Sequence, residues 1–510
     1  MKPLFVRNER RIGVILSYTQ TALSILFALF YVPVMLGILG KREYGLYQTV
    51  SSVIAALTVL DLGFGGAYTH FYFRQKKDDA AKGTESLNGL FIIVYFVLGT
   101  VAFLCCLYLM RHLELILGNE LTSEEYEKAG TMLLLLSFNL LTSFASGVFS
   151  AYIKTQEKFL FSELLSLTRT AASPVLQLPF LMLGFGSVGM TTARFAVNFL
   201  CDAAIIVFAV SKLRFRASFS HIKSGLFRSI LSFSSLIALN MIVDQINSNV
   251  DNIILARICG TAEVAVNSVG VMIASYYSLF STSVSKVYTP QVHRLVSDTS
   301  LDCQKDALTD IFVRVGRIQL MILMLILSGF IVFGRDFIAL WAKDGYEAAY
   351  AVCLLRMIPS TVPLIQNVGI EIQRAQRLHH YRAFIYSGMA LANIALTIPL
   401  SRHIGAIGAA LATGAATLVA NGMIMNVVYH KKINIDIVRF WKSILSALCG
   451  MLPSFALGAV ILIFARFTSW LSLIVGIAAY SAVYVLSVWL FSLNAREKTY
   501  IKAFFANKKT

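Results

Sequence analysis

The sequence predicts an all-α integral membrane protein of about 14 transmembrane helices, in two six-helix lobes related by an internal repeat plus a C-terminal helix pair. Three observations lead to this fold class. Mean hydropathy is +0.71 with only 14% charged residues, apolar runs of helical length recur along the whole chain, and the chain resembles itself at a shift of about 220 residues.

The apolar runs are too numerous to be hidden in the interior of a soluble domain. Each is long enough as a helix to cross roughly 30 Å of hydrocarbon, and none alternates as the strands of a membrane β-barrel do. The expected spans are residues 12–38, 46–70, 88–110, 129–152, 161–183, 189–210, 229–256, 264–288, 312–334, 348–370, 383–401, 406–428, 443–465 and 470–491.

The internal repeat divides the chain. The aligned pairs include Gly40 with Gly260, Gln156 with Gln376, and Gly186 with Gly405. We expect an N-terminal lobe over 1–228, a second lobe over 229–442, and an additional helix pair with a basic cytoplasmic tail over 443–510. Repeated transporter halves rock about a site near the bilayer midplane, so polar residues that face such a site are of interest.

The basic residues predict the orientation. Most of the 44 Lys and Arg residues fall in the tails and loops on the side that holds both termini, which the positive-inside rule places in the cytoplasm. The net charge of +17 is then mostly a consequence of topology. It indicates contact with membrane lipid head groups and does not indicate nucleic acid.

Polar residues follow one another along the seventh predicted span. Asn240, Asp244, Asn247 and Asp251 have the spacing i, i+4, i+7, i+11, which is one face of a regular α-helix. Because an ionised side chain costs roughly 2.5–3.5 kcal/mol at the bilayer centre, such a face is expected to meet protein or water. It is predicted to line a hydrated cavity suited to sugar hydroxyls; the alternative is that these groups only join neighbouring helices.

Further charged residues lie within the predicted spans. Arg169 and Arg356 have no evident partner within their own helices, and a guanidinium binds phosphate in bidentate fashion, so both are candidate anion sites. Arg194, Asn198 and Asp202 recur at i, i+4, i+8, a pattern that favours a structural role in which Arg194 and Asp202 partly neutralise each other through Asn198 or a partner helix. Arg194 is nevertheless kept as a cavity candidate.

Two further positions have open interpretations. Lys286 either faces the cavity or extends its ammonium to the membrane interface. Asp61 and Asp244 are candidate sites for a coupling ion, Na⁺ or H⁺, although Asp61 could equally be the buried partner of an arginine. No nucleotide loop, metal-binding cluster or nucleophile elbow occurs, so the sequence indicates a transporter without a cofactor, metal site or catalytic residues.

Two stretches resemble a known family. PVMLGILGKREYGLYQTVSSVIAALTVLDLGFGGAY (33–68) and NVDNIILARICGTAEVAV (249–266) are similar to the first and seventh helix regions of bacterial polysaccharide flippases. These belong to the multidrug, oligosaccharidyl-lipid and polysaccharide exporter superfamily. The chain departs from the family at Ala265, Val266 and Asn267, where members often have Gly-x-Tyr.

The resemblance implies an alternating-access flippase of the bacterial inner membrane, with a central cavity that is often cationic. Its substrate would be an undecaprenyl-diphosphate-linked oligosaccharide, moved outward for assembly of a lipopolysaccharide O-antigen or a capsule. Polymerase or glycosyltransferase machinery would be a further partner. Two alternatives remain open: a cation-coupled multidrug exporter of the same superfamily, and a membrane glycan polymerase or ligase, against which the short outer loops argue.

Overall fold

A computed structural model describes residues 2–78, 82–118, 121–220, 224–298, 301–495 and 497–499, and in these ranges the regular secondary structure is helical. The chain divides into two compact units, Met1–Ser268 and Val269–Thr510. The all-α fold class predicted from hydropathy is therefore confirmed.

The first unit begins with a long bent helix and ends within α10. Its helices are α1 (Lys2–Leu57), α2 (Phe64–Asp78), α3 (Lys82–Arg111), α4 (Glu114–Leu117), α5 (Ser123–Thr155), α6 (Phe159–Met182), α7 (Gly186–Val207), α8 (Ser224–Gln245) and α9 (Asp251–Cys259), with the start of α10 (Thr261–Asp298). A 3₁₀ segment, Thr58–Asp61, comes after α1, and π-helical turns come after α7 (Phe208–Lys212) and α8 (Ile246–Val250).

The second unit contains most of α10 and the remaining helices. These are α11 (Leu301–Ala342), α12 (Ala348–Ile365), α13 (Val368–Ala375), α14 (His380–Thr417), α15 (Met425–Lys431), α16 (Ile437–Cys449), α17 (Leu452–Phe464) and α18 (Trp470–Ser487). Further π-helical turns cover Leu418–Ile424 and Val488–Ser492.

Ten helical stretches among the described residues are long and apolar enough to cross a membrane. Two of them contain a kink at which two helices meet, one at Gly40 and one at Ile404 and Gly405. Two more spans are available, since α6 has 24 residues and α16 with α17 forms a pair bent by 53°. The described helices are thus compatible with the predicted fourteen.

The aligned positions of the repeat share an unusual backbone conformation. Gly40 has φ 67° and ψ 175°, and Gly260 has φ 83° and ψ 171°; Gly186 and Gly405 both have φ 56°. Such positive φ values are accessible to glycine without the steric cost that other residues incur. The aligned glycines therefore share this backbone conformation, and the division into two repeated lobes remains a prediction.

The seventh predicted span, which runs through α8 and α9, packs on helices of the first unit. α8 contacts α2, and α9 contacts α1 and α4. The boundary predicted after residue 228 assigns this span to the second lobe, and that lobe assignment remains a prediction. The packing on α1, α2 and α4 determines which polar residues of the span meet protein.

Candidate functional site

An ion pair joins α6 and α7 in the first unit. Nη2 of Arg169 lies 2.5 Å from Oδ1 of Asp202, and this oxygen also accepts a hydrogen bond of 2.9 Å from the Ser146 hydroxyl of α5. The Asp202 side chain is 3% exposed, whereas that of Arg169 is 34% exposed. The charge of Arg169 is thus partly balanced, while part of its guanidinium fork remains accessible.

Arg194 is held by a neutral partner. Its Nη1 donates a hydrogen bond of 3.1 Å to the phenol of Tyr47 on α1, and no carboxylate of the described residues forms an ion pair with it. The sequence favoured pairing of Arg194 with Asp202, which is wrong: Asp202 turns toward α5 and α6, where Ser146 and Arg169 engage it. Arg194 is partly exposed and carries an unbalanced charge within a membrane-spanning helix.

The four polar residues predicted to share one face of the seventh span (Asn240, Asp244, Asn247 and Asp251, the seventh-span stripe) do not share one environment. Asp244 is exposed and Asn247 partly exposed, whereas Asp251 is buried; the side chain of Asn240 lies outside the described residues. The physical reason is the π-helical turn Ile246–Val250, whose i→i+5 hydrogen bonds add a residue to the turn and rotate the helix that comes after it. The spacing i, i+4, i+7, i+11 assumed a regular α-helix.

Amides that sequence reasoning missed fix this span. Nδ2 of Asn252 donates to the Ser52 hydroxyl at 2.9 Å, and Nδ2 of Asn267 donates to Oδ1 of Asn252 at 2.9 Å. Gln245 donates to Thr58 at 3.5 Å and accepts from Asn249. The packing interpretation of polar residues in this span therefore applies to Asn252, which was not among the predicted site residues.

Asp61 lies where the second span is interrupted. Leu62 (φ 49°) and Gly63 (φ 72°) are in the left-handed region between the 3₁₀ segment and α2, which separates the two helical parts. The carboxylate interacts with the Tyr95 hydroxyl of α3, with the Gly63 backbone N–H and, electrostatically, with Lys154. The equivalent stretch of the second repeat, residues 281–283, is continuous helix.

A cavity of about 260 Å³ adjoins Asp61 inside the first unit. It is bounded by the 3₁₀ segment, α2, α3 and α5. Its lining residues are Thr58, Asp61, Gly65, Tyr95, Leu140, Ser143, Phe144, Gly147, Ser150, Ala151 and Lys154. The sequence signal for this break was the glycine-rich run DLGFGG (61–66), which sequence reasoning did not use.

The second unit contains the other predicted site residues. Arg356 is partly exposed on α12, the helix that also contains Pro359 and Pro363. Lys286 is exposed on α10. A buried cation that was not predicted is Arg317 of α11, 4% exposed, which forms a bidentate ion pair with Glu497 at 2.8 and 3.0 Å. Throughout the described ranges, no group of three or more His, Cys, Asp or Glu side chains could hold a metal ion.

Comparison with known proteins agrees with this architecture. A family model described as "Polysaccharide biosynthesis protein" matches residues 34–350. A sequence search of curated proteins finds no significant match.

Solved structures with the same fold are transporters or flippases. The lipid II flippase MurJ, in an inward closed conformation, aligns with a TM-score of 0.73 and 16% identity over 93% of this chain and 98% of MurJ. An inward-facing multidrug resistance MATE transporter of the MOP superfamily aligns with a TM-score of 0.63 and 13% identity, over 81% of this chain and 99% of the transporter. The Vibrio cholerae MATE transporter VcmN, in its bent form, aligns with a TM-score of 0.54 and 13% identity, over 84% of this chain and 98% of VcmN.

The family model covers more than half of the chain. The chain therefore belongs to the polysaccharide biosynthesis protein family, and it has the fold of MOP-superfamily transporters.

Proposed function

We propose that this protein is a flippase that moves undecaprenyl-diphosphate-linked oligosaccharide units from the cytoplasmic to the outer leaflet of the bacterial inner membrane. Transport proceeds by alternating access and supplies cell-surface polysaccharide assembly of the O-antigen or capsule type. Both termini lie in the cytoplasm. The family match and the fold shared with MurJ support the general class, and the charges inside the helices support the substrate.

The observation that carries the proposal is the pairing of Arg194 with the neutral Tyr47. An ionised side chain inside a membrane-spanning segment is costly, so it is expected to serve a function. Arg194 lies eight residues into α7, about 12 Å along the helix axis at 1.5 Å per residue. A diphosphate supplies the negative charge that the described surroundings of Arg194 lack, in a geometry that suits a guanidinium.

Other residues have supporting roles in this proposal. Arg169 is a second candidate for binding the diphosphate through its accessible N–H groups, while Asp202 holds its side chain in place. Arg356 is a further anion-binding candidate on the second unit. Asp244 and Asn247, the exposed and partly exposed members of the seventh-span stripe, contact the hydroxyl-rich glycan. The polyprenyl tail stays in the lipid.

The test is a leaflet-exchange assay with the purified protein and an undecaprenyl-diphosphate-linked oligosaccharide in liposomes. Arg194→Gln and Arg169→Glu are expected to reduce the rate at least tenfold, and Arg194→Lys to retain part of it because the charge stays while the fork is lost. Arg466→Gln, at an exposed position between α17 and α18, is the control variant. Wild-type rates in inserted Arg194→Gln and Arg169→Glu proteins would refute the assignment.

A second candidate function is a cation-coupled exporter of small molecules, which the fold shared with MATE transporters and the half-buried Asp61 favour. In it, Asp61 or Asp244 would exchange Na⁺ or H⁺ as cargo leaves. Efflux of a drug-like cation from the same liposomes, driven by either gradient and abolished by Asp61→Asn, would select this function. Absence of efflux alongside oligosaccharide transfer would select the flippase.

A further inference from the structure

We propose that the cavity beside Asp61 is a binding subsite for a single sugar ring, formed entirely within the first unit. The inference rests on the proposed function, since the sugar would belong to the transported glycan. The cavity differs from the arginine sites because it lies among the 3₁₀ segment, α2, α3 and α5, whereas Arg169 and Arg194 lie on α6 and α7.

The cavity is a consequence of the local sequence. The left-handed residues Leu62 and Gly63 interrupt the second span, and Gly147 of α5 faces the ring of Tyr95. A Cβ atom added at Gly147 would lie 2.8 Å from Cε1 of Tyr95, so glycine is needed for the phenol to sit between the helices. Tyr95 is 4% exposed, and it lines the cavity beside Asp61.

The groups that line the cavity have unused hydrogen-bonding capacity. The hydroxyls of Ser143 and Ser150 line it, and neither forms a hydrogen bond with another described residue. The Lys154 side chain is exposed and forms no ion pair within the described part of the chain. Donors and acceptors are therefore present together, which is the pattern that a ligand with several hydroxyl groups satisfies.

Size and charge narrow the ligand class. The volume of about 260 Å³ is below the ~300–1,000 Å³ typical of sites for drug-sized molecules, yet it is far larger than the roughly 30 Å³ that one water occupies. The lining contains one carboxylate, Asp61, and one ammonium, Lys154, so its net charge is zero and neither a bare cation nor an anion is favoured. A compact, hydroxyl-rich and mainly neutral group fits, and Phe144 and Leu140 supply apolar surface for a ring face.

The test uses the full-length protein in detergent, with free glucose, N-acetylglucosamine and glucuronate as probes. Saturation-transfer NMR should detect contact with at least one neutral sugar. Ser143→Leu and Ser150→Leu, which fill the cavity from partly or fully exposed positions, should weaken that binding at least tenfold. Thr131→Leu, at an exposed position of α5 whose hydroxyl bonds only within its own helix, should leave it unchanged.

The proposal would be overturned if no sugar contacts the protein, or if both leucine variants retain the contact. It would also be overturned if the cavity binds Na⁺ or a drug-like cation and not sugar, and the leucine variants remove that cation binding. Its failure is distinguishable from failure of the proposed function. If liposomes transfer the lipid-linked oligosaccharide while the leucine variants leave sugar contact intact, only the subsite is wrong. If sugar binds the cavity but no oligosaccharide is transferred, the flippase proposal is wrong.

Discussion

The carboxylate of Asp202 joins three helices, because its Oδ1 lies 2.5 Å from Nη2 of Arg169 on α6 and 2.9 Å from the Ser146 hydroxyl on α5, while Asp202 itself belongs to α7. With 3% exposure it is shielded from water. Removing one partner of such a pair leaves an uncompensated charge in surroundings that solvate it poorly.

We expect Asp202→Asn to lower the free energy of unfolding by about 1–3 kcal/mol, less than for a fully buried pair, since Arg169 retains access to solvent. The measurement is thermal unfolding in detergent. Ser146→Ala, which removes one hydrogen bond and no charge, should cost about 1 kcal/mol. In the double variant Arg169→Gln/Asp202→Asn the loss should be smaller than the sum of the single losses; strict additivity would show that the two groups do not interact.

Prediction from sequence succeeded where local pattern determines structure. Helix length and hydropathy identify membrane spans because each span has to satisfy its backbone internally. Gly40 and Gly260, which the sequence aligns with each other, both have a positive φ, a conformation that favours glycine, although no turn was predicted at either position. These features depend on neighbours a few residues away.

Prediction failed where the partner comes from elsewhere in the chain. Arg194 and Asp202 have helical spacing, but the geometry of α6 and α5 brings Arg169 and Ser146 to Asp202. The π-helical turn Ile246–Val250 changes the register of the seventh span, which a periodicity of 3.6 residues per turn cannot represent. Arg317 was missed because its partner, Glu497, lies 180 residues away.

The side-chain amide of Asn252 forms two hydrogen bonds: it donates one to the Ser52 hydroxyl and accepts one from the Asn267 amide. Asn252→Ala leaves a buried donor on Asn267 without its acceptor, so we expect the free energy of unfolding to fall by roughly 1–3 kcal/mol. Asn247→Ala on the same span, at a partly exposed position, should change it by less than about 0.5 kcal/mol. Equal effects of the two substitutions on the melting temperature would contradict the bridging role of Asn252.

Asp436 caps α16 and gives a pH-dependent contribution to stability. The Arg439 backbone N–H donates to its Oδ1 at 3.0 Å, and this hydrogen bond holds the pKa of Asp436 below its usual range. Because the folded-state pKa is depressed, the stabilisation is present above the ordinary value of ~3.9 and is lost as pH falls through the folded-state pKa.

We therefore expect Asp436→Asn to be less stable than the wild type at pH 7 by about 0.3–1 kcal/mol, the usual contribution of a charge at a helix N-terminus. The difference should shrink as pH is lowered below that ordinary value. Melting curves of both proteins between pH 7 and pH 3 measure it. A difference that is constant over this range would mean that the charge of Asp436 has no part in the cap.

Arg317 anchors the chain segment after α18. Its Nε and Nη2 bind the Glu497 carboxylate, and its Nη1 and Nη2 donate to the backbone oxygens of Ser443 at 3.0 Å and Ser492 at 2.7 Å. Arg317→Ala removes all of these bonds and leaves the poorly exposed Glu497 carboxylate without its counter-charge. We expect a loss of about 3–5 kcal/mol in the free energy of unfolding.

The exposed pair Arg374–Glu371 is the matched control, because its 2.8 Å distance equals that of Arg317–Glu497 while its arginine is 62% exposed. Arg374→Ala should cost no more than about 1 kcal/mol, since water screens an exposed pair. Arg317→Met/Glu497→Leu removes both charges, but it also removes the hydrogen bonds from Arg317 to the Ser443 and Ser492 carbonyls. We therefore expect it to recover only part of the loss; full recovery would show that the ion pair, and not the carbonyl contacts, explains the effect of Arg317→Ala.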